Sequence, residues 1–307
     1  MRLVFMGTPD FAVRSLDTLA AHRYDVAAVV TAPDKPRGRM QHVSFTPVKS
    51  YALEHHIRLL QPEKLNDAQF IASLGALEPD LIVVVAFRIL PRDILLLPKL
   101  GSFNLHASLL PKFRGAAPIN WAILKGEKDT GVTSFVLQEK VDAGAVLLQE
   151  KIPIGENETA GELHDRLAVL GADVVLRSVR LFESGKASTT VQDESLASPA
   201  PKIFKQQCRI PWKEPAQAVH NFIRGLSPHP CAWTANRNTT LRIFRASLKT
   251  DFSGVPGTVI SVSKKNLLIG TGHGAVAIEE LQQEGKRRLG IEEFLRGYPL
   301  AEGDLFL

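Results

Sequence analysis

Leu3-Val4-Phe5-Met6-Gly7-Thr8-Pro9-Asp10-Phe11-Ala12 runs an apolar strand straight into a helix. Leu3–Met6 is continuous apolar sequence, Gly-Thr-Pro-Asp punctuates it, and Phe11, Leu16 and Leu19 then recur at near-helical spacing. Outward from this unit the same alternation repeats. Val26–Val30 predicts a second strand, closed by Thr31-Ala32-Pro33-Asp34. Leu81–Ala86 predicts a third, continuous and β-branched, as suits a strand covered on both faces. Pro91–Leu97 predicts a short helix, Ser102–His106 and Val132–Leu137 predict strands, and Thr159–Glu183 predicts a helix capped by Thr159. The pattern predicts a Rossmann-like α/β domain over residues 1–183, with a mainly parallel sheet and helices on both faces.

Residues 184–203 change character. Ser184-Gly185-Lys186-Ala187-Ser188 and Ser198-Pro199-Ala200-Pro201 lack periodicity and predict a linker. Beyond it, one helical stretch around Ala216–Ile223 precedes short strands at Leu241–Phe244, Gly257–Val262, Leu267–Gly270 and Ala275–Leu281. Turn residues separate them, which predicts a small barrel or sandwich over residues 204–307.

A chain of 307 residues is comfortable for two domains, and 45% hydrophobic with 22% charged residues is ordinary for a soluble globular protein. No apolar run reaches a membrane span and the N-terminal run is too short for a signal peptide, so a cytoplasmic protein with no membrane partner is expected. A monomer is expected. Cys208 and Cys231 form no Cys-x-x-Cys pair, and His229 with Cys231 lacks zinc-ligand spacing, so no disulfide framework and no metal are expected. Charge is unevenly distributed. Residues 201–307 carry 15 Lys and Arg against 9 Asp and Glu, net +6, whereas the whole chain is +5. That asymmetry suits either a polyanion partner or a basic solvated surface.

The first strand-to-helix turn lacks the three glycines that bring backbone against a pyrophosphate, which argues against a dinucleotide site. No Walker sequence occurs. The chemistry concentrates in Asn104-Leu105-His106-Ala107-Ser108-Leu109-Leu110-Pro111-Lys112-Phe113-Arg114-Gly115-Ala116-Ala117-Pro118-Ile119. On a strand, Asn104 and His106 share a face, at the C-terminal end where open α/β sheets bind ligands. An amide donor beside an imidazole suits acyl transfer, in which a carbonyl becomes an oxyanion and an amine loses a proton. Asp142, before Ala143-Gly144, is positioned to set the charge of that imidazole. Taken singly, Asn-x-His and an Asp before a glycine are equally readable as structural features.

Together these words resemble the formyltransferases that use 10-formyltetrahydrofolate. The resemblance implies that Asn104, His106 and Asp142 are catalytic. It also implies that Phe87, Arg88, Ile89 and Leu90, with Ser108, Leu109, Leu110 and Pro111, bind the folate. Three stretches resemble the branch whose amine acceptor is initiator methionyl-tRNA: Gly7–Ala12, the loop Pro33-Asp34-Lys35-Pro36-Arg37-Gly38-Arg39, and the tail with Gly285-Lys286-Arg287-Arg288 and Arg296-Gly297-Tyr298. That branch implies a small OB-like β-barrel over residues 204–307 and tRNA contacts from Lys35, Arg37, Arg39, Lys202, Lys286, Arg287 and Arg288. The chain departs from the pattern after Arg39, and Ala86–Pro91 is short by one residue and resembles the glycinamide ribonucleotide formyltransferases instead. A nucleotide-sugar or other small-amine formyltransferase is the alternative reading, since it keeps the same trio. A non-enzymatic RNA-binding protein explains the charge but not the trio.

Overall fold

The computed structural model describes residues 1–37 and 42–307, with side chains outside 35–43. In chain order the elements are β1 (Arg2–Gly7), α1 (Asp10–Ala21), β2 (Asp25–Val30), β3 (Lys35–Arg37), β4 (His42–Ser44), α2 (Pro47–Glu54), β5 (Leu59–Leu60), α3 (Ala68–Gly75), β6 (Leu81–Val85), α4 (Arg92–Leu95), β7 (Ser102–His106), α5 (Pro118–Leu124), β8 (Asp129–Val136), β9 (Val146–Pro153) and α6 (Ala160–Glu183). Then follow α7 (Ala216–Leu226), β10 (Ala232–Asn236), β11 (Thr239–Lys249), β12 (Val259–Val262), β13 (Leu267–Gly270), β14 (Ala275–Gln283), β15 (Arg288–Gly290) and α8 (Ile291–Gly297). Two compact units result. The first comprises Met1–Pro118, Gly131–Ile152 and His164–Ala200; the second comprises Ile119–Thr130, Pro153–Leu163 and Pro201–Leu307.

The first unit is built on a sheet ordered β5-β2-β1-β6-β7-β8-β9. β1, β2, β5, β6 and β7 pair in parallel, and β8 turns antiparallel to β7. The mainly parallel sheet expected from the alternation is therefore present. β1 and β6 are buried on both faces, and side-chain alternation sorts their residues between them. Val4, Met6, Ile82 and Val84 form a core with Phe70, Leu74 and Ile94 from α3 and α4. On the other face, Phe103 stacks on Phe182 of α6 at 5.9 Å, and Leu105 lies against Gly171. A methyl group at Gly171 would stand 2.6 Å from Leu105 Cδ2, so glycine lets α6 settle on the sheet. Strand order reverses between β1 and β6, and the crevice beyond the carboxyl ends of such strands is where α/β sheets hold ligands.

Some boundaries differ from expectation. The helix expected over Pro91–Leu97 shrinks to Arg92–Leu95, because Pro91 cannot continue a helix backwards and Pro98 follows. The strand expected at Val132–Leu137 starts earlier, at Asp129.

The second unit carries a sheet ordered β10-β11-β14-β13-β12, with β15 on β14. The tail closes it. Leu307 exchanges backbone hydrogen bonds with Ala235 on β10, while Gly257 O accepts from Phe306 N and Val259 N donates to Asp304 O beside β12. The last residues thus stand between the two outer strands and complete a barrel, one of the two arrangements open to short strands with frequent turns and the one the resemblance implies. Its interior holds Trp212, Ile223, Leu241, Ile243, Leu267, Ile269, Ile278, Leu281 and Phe306. At the start of α6, Thr159 N donates to Glu162 and Glu162 N donates back to Thr159 Oγ1, a capping box at the predicted cap.

Candidate active site

His106 ends β7, and its ring is almost fully buried. Asn104 neighbours Val84 of β6, which puts Asn104 and His106 on the α3/α4 face. Asn104 is half-buried, and its carboxamide has no partner among the described residues. His106 Nε2 lies 2.8 Å from Phe113 O, so this nitrogen is the donor. His106 Nδ1 faces Asp142 Oδ2 at 3.8 Å, an ion-pair separation too long for a hydrogen bond. Two acceptors thus face the two ring nitrogens.

Asp142 reaches this position by an indirect route. β8 runs against β7 with Val136 opposite Phe103, so the following loop leaves the sheet three residues from His106. At about 3.3 Å per residue, that loop returns by roughly 10 Å along the sheet. The carboxylate is then fixed by Gly115 N, which donates to Asp142 Oδ2 at 2.9 Å. Asp142 itself takes φ +50°, a left-handed conformation that aspartate tolerates.

The loop after β7 is held from inside and outside. Ser108 Oγ donates to Lys112 O at 2.6 Å, and Thr133 Oγ1 donates to Ser108 O. From outside, residues 190–200 run across it as a strap. Arg114 N donates to Ser198 O, Ala200 N to Arg114 O, and Phe113 N to Ser198 Oγ. This part of the expected linker is therefore hydrogen-bonded structure, not a spacer. Gly115 has φ +128°, and a methyl group there would stand 2.6 Å from Ala200 O. Only glycine lets the strap lie this close.

Residues 1–179 match the family described as formyl transferase, and residues 202–299 match the formyl transferase C-terminal domain. The chain belongs to the formyl transferase family. A methionyl-tRNA formyltransferase of Bacteroides fragilis is 45% identical over 312 residues, covering 98% of this chain and 96% of that one. Another, from Caldanaerobacter subterraneus subsp. tengcongensis, is 46% identical over 307 residues, covering 99% of each. Among solved structures, the sugar 3N-formyl transferase WlaRD has a TM-score of 0.67 at 20% identity, covering 94% of this chain and 99% of that one. HypX of Aquifex aeolicus, solved with tetrahydrofolic acid, has a TM-score of 0.68 at 21% identity; it covers 100% of this chain, which spans 50% of HypX. At such identities these two structures show the fold.

In this formyl transferase, Phe87–Leu90 follow β6 at the same sheet edge as His106, since β6 and β7 are parallel. Ala86 turns the chain at φ +49°, and Arg88 donates to Pro62 O and Glu63 O. Burial lowers the Arg88 pKa from its ordinary value. The backbone groups of Arg88, Ile89 and Leu90 have no partner among the described residues, and Ile89 is 71% exposed. Of the second folate-assigned stretch, Ser108 and Leu110 are buried, while Leu109 and Pro111 are half-buried.

The tRNA-assigned residues fall in both units. Lys35 and Arg37 lie on β3, paired to β4, with no side chain described, and Arg39 lies outside the described residues. The base of that loop is anchored, because Lys49 Nζ pairs with Asp34, and Gln61 donates to the same carboxylate. Lys49 and Gln61 hold the Asp34 carboxyl below its ordinary pKa. In the second unit, Lys202 lies over the Phe204 ring, Lys286 is exposed, Arg287 pairs with Glu293, and Arg288 pairs with Glu280 and covers Phe244. Sequence reasoning missed Gln192, Glu194 and Ser198. Their signal was faint: a Gln-Asp-Glu cluster inside a segment otherwise rich in Ser, Ala and Pro. Among the described residues, no group of three or more His, Cys, Asp or Glu gathers as a metal site.

Proposed function

We propose that this formyl transferase moves the formyl group of 10-formyltetrahydrofolate onto the free amino group of initiator methionyl-tRNA. The observation that carries the reading is the meeting of His106 and Asp142 beside the unpartnered Asn104 amide. Relatives about 45% identical along their length, named for that reaction, support the choice of acceptor.

The folate supplies an activated formyl carbon, and the free backbone of Arg88, Ile89 and Leu90 fits the polar edge of a pterin. Asn104 donates an amide N–H to the formyl oxygen. His106 has Nε2–H committed to Phe113 O, so Nδ1–H is the second donor. Both strengthen as the oxyanion develops. Asp142 stands close enough to hold the imidazolium charge, and its Oδ1 is available to relay the proton that the attacking amine gives up. The new C–N bond forms on the methionyl nitrogen, the bond to folate N10 breaks, and that proton ends on N10. Phe87–Leu90 with Ser108–Pro111 line the folate side. Lys35, Arg37 and Arg39, with Lys202, Lys286, Arg287 and Arg288, grip the RNA. Residues 1–183 form the catalytic domain and 204–307 the basic tRNA-binding domain of a monomeric, cytoplasmic enzyme that needs no metal.

Single-turnover formylation tests the reading. Asn104→Ala and His106→Ala, checked for folding, should each lose about a hundred- to a thousandfold in rate. Asp142→Ala should be similarly impaired. Near-normal rates in folded variants would remove the catalytic assignment. Formylation of a sugar-nucleotide amine in preference to charged initiator tRNA would move the acceptor to the alternative class.

A further inference from the structure

Gln192 has no role in the chemistry above, yet it joins both segments that build the site. Its Nε2 donates to Asp142 O at 2.9 Å and Gly144 O at 2.7 Å. Its Oε1 accepts from Arg114 Nη2 at 2.7 Å and from Arg114 Nε at 3.2 Å. Gln192 is 7% exposed. Arg114 lies between Phe113, whose carbonyl accepts the His106 Nε2–H hydrogen bond, and Gly115, whose amide holds Asp142. Glu194 completes the link, accepting from Arg114 at 2.9 and 3.1 Å and from Lys140 at 3.0 Å. Hydrogen bonds from Arg114 and then Lys140 pull the Glu194 carboxyl down to a pKa of about 2, so it stays ionised at neutral pH.

We propose that Gln192 is a positioning residue: its side-chain amide clamps the Asp142 loop to the Arg114 loop and thereby sets the gap between Asp142 and His106. The proposal rests on the catalytic reading of that pair.

Three physical points support it. The Asp142 loop leaves the sheet far from His106 and must be carried back, so something has to fix where it stops. The amide has a direction: its nitrogen meets two carbonyls and its oxygen meets a guanidinium. No apolar or acidic residue of that size reproduces this pattern. Finally, the strap is anchored on both sides of Gln192, by Thr190 on Val146 and by Ser198 and Ala200 on Arg114.

The test uses full-length protein and charged initiator tRNA. Gln192→Glu keeps the shape but turns an acceptor toward Asp142 O and Gly144 O. Gln192→Met keeps the volume and removes both polarities. A displacement of about 1 Å in a reacting group costs about a hundredfold in rate, so each should lower kcat by ten- to a hundredfold. KM for both substrates should change by less than about threefold, since the clamp touches neither. A fold defect would instead lower the active fraction, which single-turnover amplitude reads separately from rate. The deciding arm is a double-mutant cycle with Asp142→Asn. If Gln192 acts through Asp142, Gln192→Met costs at most about twofold more in that background. Full additivity, or a wild-type rate in folded Gln192→Met, overturns the clamp. If Asp142→Asn alone proves near-normal, the catalytic pair falls and the clamp falls with it. An impaired Asp142→Asn with additive Gln192→Met overturns the clamp alone.

Discussion

At the residue scale, His106 shows how little of a site lies in one side chain. Its ring is useful only because Phe113 O accepts the Nε2–H hydrogen bond and Asp142 faces Nδ1. The type and face of Asn104 and His106 were readable from strand alternation. The place of Asp142 after the next strand suggested that it reaches the imidazole and the whole motif strengthened this, but nothing in the spacing from 106 to 142 encodes a loop folding back along the sheet. Gly115 was part of that motif, but its reason appears only with Ala200 against it. Gly115→Ala must find room for a methyl group 2.6 Å from a backbone oxygen while holding φ +128°. Backbone strain alone costs about 1–3 kcal/mol. Urea unfolding should show that loss as a lower midpoint with an unchanged slope, accompanied by slower formylation.

At the element scale, strands and long helices followed their apolar periods, whereas short pieces did not. β5 spans Leu59–Leu60, too few residues for alternation to register. The strap over 190–200 eluded reading for a different reason. Its order comes from backbone pairing with another loop and from buried Gln192, not from a run of apolar residues. Helix α7 was legible, but its polar interior was not. His220, Asn221 and Arg224 are all buried there, and Arg224 donates to Gly155 O and Glu158 O. Burial, followed by the nearby Arg224 charge, lowers His220 to a pKa of about 4. The folded state therefore binds fewer protons than the unfolded chain between pH 4 and the ordinary histidine range near 6.5. Stability should be flat just above that window and fall as pH drops through it, by on the order of 1–3 kcal/mol from this group. Chemical denaturation of His220→Leu across pH 4–8 should show a shallower acid loss than the parent; equal slopes would refute the assignment.

At the scale of the whole molecule, the +6 excess over residues 201–307 stays the broadest clue the chain offers about a polyanion. Several of these cations already have anionic neighbours, as with Arg245 beside Glu162 and Arg288 beside Glu280. Binding of methionyl-tRNA should weaken about tenfold from 0.1 to 0.2 M salt if about four phosphates are contacted. Lys286→Gln with Arg287→Gln should flatten the log–log salt slope by about one per lost contact. A slope unaffected by both changes would move the RNA footprint elsewhere. Two units were foreseeable from the shift between α/β alternation and short strands. That Ile119–Thr130 and Pro153–Leu163 join the second unit was not, because membership is decided by packing rather than by chain order. The tail brings its own vulnerability. Gly303–Leu307 serve as the keystone between β10 and β12, so proteolysis just before them would leave two raw hydrogen-bonding margins and invite neighbouring molecules to zip together.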